Sequence, residues 1–149
     1  MEDPDVIAVL RAYPQVYLAC HVEHRTRGRS PTGLTARDAS LLAHVEAEGS
    51  SPAALARHLG ISPSTLSAAL ARLEALGLLH LNRHPRDARR RIVVLTDEGR
   101  AAVVLDSVLD AGRVAALLAL LGPRERRKAV EGLALLAGAA RAYQEGRGR

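Results

Sequence analysis

The sequence predicts a mainly α-helical protein with one small β-hairpin. Two Ser-Pro helix starts, Ser51-Pro52 and Ser62-Pro63, stand on either side of Gly60. An arginine-rich turn then precedes the β-branched run 92–95, and long aliphatic segments flank this region on both sides. The order helix, helix, turn, helix, strand, basic turn, strand is that of a winged helix-turn-helix.

The first helix is predicted over residues 5–27, where apolar side chains recur at helical spacing. Pro14 is expected to kink or restart this helix, because proline lacks the amide hydrogen that a helix interior needs. The segment 25–33 is predicted as a loop from its Gly, Ser and Pro content.

Three further helices are predicted from their start signals. Thr35 is expected to cap a helix that extends to about residue 47, Ser51 one over 53–59, and Ser62 one that ends near Leu76. Gly60 supplies the left-handed turn between the last two. Leucines at helical spacing are expected to face inwards, which turns a set of small side chains outwards: Ser64, Ser67, Ala68 and Ala71.

The hairpin is predicted as strands 78–82 and 91–95, joined by the arginine-rich turn. Arginine is always charged and its planar fork matches phosphate, so this turn points to nucleic acid. Thr96 is expected to cap a long helix to about residue 121, and Gly122-Pro123 separates it from a last helix over 123–144.

The charge balance also favours a polyanionic partner. Lys and Arg number 21 against 16 Asp and Glu, with clusters at 83–91 and 124–128. We interpret the second cluster as a solvated helix face. Only 2% of residues are aromatic, which argues against stacking of single-stranded bases. A cytoplasmic protein is expected, since no stretch resembles a signal peptide or a membrane span.

The segment DARRRIVVLTDEG resembles the wing signature of the MarR (multiple antibiotic resistance regulator) family: Asp, any residue, Arg, a strand ending Leu-Thr, two residues and Gly. Upstream, GLTARDASLLAHV and SPAALARHLGISPSTLSAALARLEALGLL are similar to the second helix and the helix-turn-helix of the family. The resemblance implies a homodimeric transcriptional regulator, a ligand-responsive repressor on a pseudo-palindromic operator. It implies a DNA-binding lobe over 34–96 and a helical dimerisation region formed by 1–33 and 97–149.

By position, the resemblance implies that Arg89 enters the minor groove with its guanidinium held by Asp87, and that helix 62–76 enters the major groove. Arg72 is the outward residue of this helix that can contact guanine with two hydrogen bonds. We therefore expect modest direct readout and reliance on backbone contacts and groove shape. The expected DNA-contacting residues are Ser62, Ser64, Thr65, Ser67, Ala68, Arg72, Arg83, Arg86, Asp87, Arg89 and Arg90.

A ligand or sensor site has several interpretations. Tyr13, Tyr17, His21 and His44 could line a pocket for a small aromatic ligand of the kind that family members bind, or the tyrosines could pack in the dimer core. Cys20 with His21 and His24 could instead serve a metal- or redox-responsive regulator, although a free cysteine is usually a small buried hydrophobe. We predict no resident metal or cofactor.

Two other function classes compete with a DNA-binding regulator. An enzyme is not expected, because the sequence holds no glycine-rich phosphate loop, nucleophile elbow or paired-histidine metal motif. A winged-helix protein-interaction module is the alternative, and the retained arginines of the hairpin argue against it.

Overall fold

Seven helices and one β-hairpin make up residues 3–22 and 31–147, the part of the chain that the computed structural model describes. In chain order the elements are α1 (Pro4–Cys20), α2 (Ala36–His44), α3 (Pro52–Leu59), α4 (Pro63–Ala75), β1 (Leu79–His84), β2 (Asp87–Leu95), α5 (Asp97–Leu105), α6 (Ala111–Ala119) and α7 (Pro123–Arg147). None of the described helices is long and apolar enough to span a membrane.

The predicted helix caps are confirmed. The side-chain oxygens of Thr35, Ser51, Ser62 and Thr96 each accept a hydrogen bond from the amide three residues later, at 3.0–3.1 Å. Gly60 ends α3 in the left-handed conformation, with φ of 64°. These local signals therefore place α2, α3, α4 and α5.

The core lies between these four helices and the base of the hairpin. The leucines of α4 that were expected to face inwards are buried, and they meet the buried Leu41 and Leu42 of α2. Leu79 and Val93 add the two strands to the same cluster. Each fully buried leucine contributes about 1.5–3 kcal/mol relative to an exposed one, so this cluster holds the helix-turn-helix onto the hairpin.

The hairpin is longer and its turn tighter than predicted. β1 and β2 pair antiparallel, and only Pro85 and Arg86 lie between them. The prediction of strands at 78–82 and 91–95 with a long basic loop was wrong, because His84 pairs with Asp87 directly beside the tight turn. Arg83 and Arg91 face each other across the hairpin, whereas the register shifts between Arg83 and His84 and leaves Arg89 and Arg90 of β2 without partner residues in β1.

The close packing around Gly99 explains why the Leu-Thr-x-x-Gly pattern at the strand-to-helix junction ends in glycine. A Cβ atom at this position would overlap the carbonyl oxygen of Leu78. Thr96 closes the same junction, since its hydroxyl donates to the carbonyl of Gly77 at 2.6 Å and its amide to that of Leu78 at 3.1 Å. The first turn of α5 is thus pressed against the entry of β1.

The long helix predicted over 97–121 is interrupted between α5 and α6. Asp106 is buried at the end of α5, and Asp110 caps α6 by accepting the Arg113 amide at 2.8 Å. Between them Ser107 accepts the Leu109 amide at 3.1 Å. Short polar side chains here bond the local backbone, which favours a stop and a new start over a continuous helix.

The ends of α1 and α2 also differ from prediction. α1 runs through Pro14 as one helix and ends at Cys20 rather than 27, and residues 23–30 lie outside the described ranges. α2 ends at His44 rather than 47. The chain then pairs with β2, because Ser50 exchanges two backbone hydrogen bonds with Val93, at 2.9 and 2.8 Å. That pairing holds the segment between α2 and α3 against β2.

Candidate nucleic-acid interface

The hairpin β1–β2, which we call the wing, presents exposed guanidinium groups. Arg83, Arg86, Arg89 and Arg90 are all exposed. Within residues 3–22 and 31–147 none of the four forms an ion pair. Their charge is therefore available to an external anion.

Asp87 does not hold the Arg89 guanidinium, contrary to expectation. Its Oδ1 instead accepts a hydrogen bond from the Arg89 backbone amide, at 3.1 Å. On the other side of the turn, His84 Nδ1 accepts the Arg86 amide at 3.1 Å. Asp87 therefore shapes the backbone of the wing tip and leaves the arginine side chain to solvent.

The N-terminus of α4 carries a cluster of hydroxyl groups. Ser62 Oγ lies 3.1 Å from Ser64 Oγ and 2.8 Å from Thr65 Oγ1. Ser67 and Ala68 follow on the exposed side of the helix, as predicted. Hydroxyl groups and the first amides of a helix are ready donors to phosphate.

Arg72 does not offer the free fork that was expected for guanine. Its Nη2 lies 2.6 Å from Asp38 Oδ1 and its Nε lies 3.3 Å from Asp38 Oδ2. The hydrogen bond and charge of Asp38 raise the pKa of Arg72. Both bonds of the fork are thus used within the chain, and Arg72 fastens α4 to α2.

The predicted DNA-contacting residues fall on two linked elements. Glu74 near the end of α4 accepts the Leu81 backbone amide with Oε2, at 2.7 Å. This bond ties the helix that carries the hydroxyl cluster to the wing that carries the arginines. The hydroxyl cluster of α4 and the arginines of the wing are therefore held in a fixed arrangement relative to each other.

The residues expected to form an aromatic ligand pocket are divided by the structure. Tyr13, Tyr17 and His21 stack in sequence along α1, with ring centroids 6.2 Å and 4.4 Å apart. His44 instead packs against His58 of α3, at 4.7 Å. Within the single chain these residues thus belong to two separate ring clusters, and one pocket lined by all four stays a prediction.

The sensor residues of α1 give no metal site in the described ranges. Cys20 is 1% exposed, and no group of three potential metal ligands occurs in residues 3–22 and 31–147. His24 lies outside the described residues. The burial of Cys20 fits a small core hydrophobe.

Sequence reasoning missed a polar cavity that involves His58, Arg91 and Arg141. Burial lowers the pKa of His58, and the neighbouring His44 lowers it further. His58 and Arg141 come from segments far apart in the chain, so spacing alone carried no signal. Arg91 was noted only as part of the basic turn.

Comparison with known proteins shows which family the winged helix-turn-helix resembles. Residues 32–90 match the model of the MarR family. Over these residues the chain is similar to the MarR family, whose members are DNA-binding transcriptional regulators of the winged-helix class rather than enzymes. The match supports a MarR-family DNA-binding regulator.

Solved structures share the MarR fold over most of the chain. The PcaV transcriptional regulator from Streptomyces coelicolor is 27% identical, covers 95% of this chain and 99% of its own, and has a TM-score of 0.50. A transcriptional regulator from Thermotoga maritima is 22% identical, covers 92% of this chain and 94% of its own, and has a TM-score of 0.54. BpsR from Bordetella bronchiseptica is 24% identical, covers 91% of this chain and 94% of its own, and has a TM-score of 0.51. No curated protein sequence matches the chain.

Proposed function

We propose that this protein is a homodimeric, cytoplasmic transcriptional repressor that binds pseudo-palindromic double-stranded DNA and responds to a small ligand. The DNA-binding lobe comprises residues 34–96, with α4 in the major groove and the wing in the minor groove. The observation that carries the proposal is that the wing arginines are exposed and have no ion-pair partner in the described ranges. The hydrogen bond from the Leu81 amide to Glu74 joins the wing to α4.

The interface chemistry predicts tight binding with little direct base readout. Exposed Arg86 and Arg89 can neutralise phosphates and enter the negative potential of a narrow minor groove. The outward face of α4 carries mainly Ser67, Ala68 and the hydroxyl cluster, which reach few base edges. Groove shape and backbone contacts would therefore supply most of the selectivity.

A homodimer is proposed because the helices outside the lobe leave their apolar side chains uncovered. No residue of α6 or α7 is buried within the described chain. Contiguous exposed apolar surface of this kind marks an association site. We assign dimerisation to residues 1–33 and 97–149, and the exposed apolar side chains of α1 and α7 include Val6, Leu10, Tyr13, Val130, Leu133, Leu136 and Tyr143.

Control by a small molecule is supported by a protein of the same fold. BpsR is described as a protein whose DNA binding is regulated by 6-hydroxynicotinic acid. At 24% identity this likeness concerns the fold. A repressor whose ligand releases DNA is the arrangement that we propose.

Selection of duplexes from a random-sequence pool tests the DNA-binding part. We expect enrichment of a pseudo-palindrome with half-sites about one helical turn apart, and sedimentation of the free protein as a dimer. The variant Arg86→Ala/Arg89→Ala should recover little DNA, whereas the matched charge loss Arg124→Ala/Arg126→Ala on α7 should behave like the wild type. A monomer that enriches no sequence would contradict the proposal.

A further inference from the structure

Two histidine rings meet where the proposed DNA-binding lobe contacts α7. His44 lies in the last turn of α2 and His58 in the last turn of α3, and their ring centroids are 4.7 Å apart. Both rings line the cavity where α2, α3, β2 and α7 meet, which we call the polar cavity. Histidine changes its charge near neutral pH, so a ring pair at this junction can make the contact between α3 and α7 depend on pH.

The surroundings of the His58 ring suit its neutral form. Both ring nitrogens are shielded from water and, within the described ranges, neither makes a hydrogen bond of normal geometry. His44 differs, because its Nδ1 donates to the Ser40 carbonyl at 2.5 Å. A protonated imidazole has two N–H donors and a charge, and shielding such a group without partners is costly. The packing of α3 against α7 therefore opposes protonation of His58.

The charged groups around His58 come from each element that lines the polar cavity, and positive groups outnumber acids. The titratable and charged residues are His44 and Glu46 from α2 and the segment after it, His84, Arg90 and Arg91 from the wing, and Arg141 and Glu145 from α7. Arg141 Nε lies 3.5 Å from Glu46 Oε1, so one of the two acids is already paired. Arg90 and Arg91 have no ion-pair partner in the described ranges. A proton on His58 would therefore add to an excess of positive charge.

These surroundings lower the pKa of His58 below its ordinary value of 6.5. Burial is the largest cause, the charge of His44 is the second, and the charge of Arg141 acts in the same direction. The charge of Glu145 and, most weakly, the backbone carbonyl of Arg141 act in the opposite direction. A conformation in which His58 reaches water regains the ordinary pKa and binds the proton more readily. Acid therefore favours that open conformation as pH falls below about 6.5.

A shift of α3 at this junction reaches the helix proposed to enter the major groove. Leu55 and Ala56 of α3 are buried in the same core cluster as Leu66 and Leu70 of α4, so the two helices move together. Two half-sites of a duplex are bound at once only when the lobes of a dimer are held at the matching separation. Loss of the contact between α3 and α7 would free the lobe from that position and weaken DNA binding.

We propose that His58 and His44 form an acid-sensitive latch between α3 and α7, which is closed while His58 is neutral and opens when His58 takes up a proton. We call this pair the histidine latch. Its opening releases the lobe from α7, so the protein binds DNA less tightly at mildly acidic pH. The inference rests on the proposed function and adds a second signal to it, since the response to acid needs no ligand.

Fluorescence anisotropy of the selected duplex with the full-length protein, at constant ionic strength, tests the histidine latch. We expect the wild-type affinity to fall about tenfold between about pH 7.5 and about pH 5.5, the factor that one unit of pKa difference supplies. His58→Gln keeps a polar side chain that cannot take up the proton, so it should lose most of this fall. The matched control His80→Gln removes a histidine that is exposed on β1 outside the polar cavity, and it should keep the fall.

The sign of the response separates the histidine latch from ordinary charge effects. Protonated histidines add positive charge, which by itself tightens binding to DNA in acid. An affinity that stays constant or rises in acid, or an equal fall for His58→Gln and His80→Gln, overturns the latch while DNA binding stands. Loss of helical circular dichroism at about pH 5.5 also overturns it, because the fall is then global unfolding.

Amide hydrogen exchange tests the latch without DNA, so the two proposals can fail separately. If no duplex binds at any pH, the regulator proposal fails. Faster exchange in α3 and α7 of the wild type than of His58→Gln at about pH 5.5 still supports the latch, and equal exchange overturns it. His44→Gln removes the facing charge and should shrink the same acid effects, so it replaces His58→Gln if that variant does not fold.

Discussion

Arg72 on α4 and Asp38 on α2 form a two-point ion pair, with Nη2–Oδ1 and Nε–Oδ2 distances of 2.6 and 3.3 Å. The side chain of Asp38 is 5% exposed and that of Arg72 is 53% exposed. A buried carboxylate is costly unless it has a charged, hydrogen-bonded partner. The pair therefore fixes the position of the helix proposed to enter the major groove.

Arg72→Ala should lower the melting temperature and weaken binding evenly across DNA sequences, because it strands the Asp38 carboxylate and loosens α4. Melting curves and affinities for single-base variants of the selected duplex measure both effects. Ser67→Ala, on the exposed face of the same helix, should melt like the wild type. If Arg72→Ala instead lost base preference at one position of each half-site and kept the wild-type melting temperature, Arg72 would be a residue that contacts a base.

Arg89→Ala should weaken binding to many sequences and lower the slope of log K against log salt by about one unit, because one fewer counterion is released. Affinities measured at several salt concentrations give this slope. Arg126→Ala is the matched control, because it removes one positive charge from α7, outside the wing, and should leave the slope unchanged. An unchanged slope for Arg89→Ala would mean that this side chain does not contact DNA.

Gly99→Ala should destabilise the protein by about 2–4 kcal/mol, because the new methyl group would overlap the Leu78 carbonyl and force α5 away from β1. Denaturant unfolding measures the change. A Cβ atom at Gly146 meets nothing within 4 Å, so Gly146→Ala should stay within about 0.5 kcal/mol of the wild type. Equal stability of the two variants would show that the junction can relax.

Leu136→Asp should dissociate the proposed dimer, because it places a charge in the apolar surface of α7, where Leu136 is 52% exposed in the single chain. Sedimentation velocity at micromolar concentration measures the change in mass. Leu76 is 59% exposed at the end of α4, within the lobe, so Leu76→Asp should remain dimeric. Dissociation by Leu76→Asp alone would move the interface to the lobe.

The pKa of His58 is lowered from its ordinary value of 6.5, first by burial and then by the charge of His44, while the charge of Glu145 opposes the shift and the charge of Arg141 adds to it. The unfolded chain therefore binds the proton more readily than the folded one. This contribution to stability is complete above about pH 6.5 and is lost as pH falls below it. Melting temperatures at several pH values should show a smaller acid loss for His58→Gln, and identical profiles would contradict this role.

Local signals predicted the elements that depend on neighbours in sequence. Ser51, Ser62 and Thr96 cap helices through bonds spanning three residues, so each start could be derived from a few letters. The leucine spacing of α4 likewise predicted its buried face. Contacts between residues far apart in the sequence produce no such pattern. Arg72 was predicted to contact DNA because nothing in the sequence shows that Asp38, on another helix, is its partner. The polar cavity likewise brings together His58 and Arg141, which are distant in the chain.

The interruption between α5 and α6 changes how the two proposed regions of the chain are coupled. In a continuous helix, an added residue turns everything beyond it by about 100° and shifts it by about 1.5 Å. Here residues 106–110 form a non-helical joint that is hydrogen-bonded to the end of α1. The Asp110 amide donates to the Cys20 carbonyl at 2.8 Å, and the Val22 amide donates to the Val108 carbonyl at 3.0 Å. We expect insertions at this joint to be absorbed as a local bulge, so the spacing between the two lobes of the proposed dimer should tolerate changes in chain length that a continuous helix would transmit.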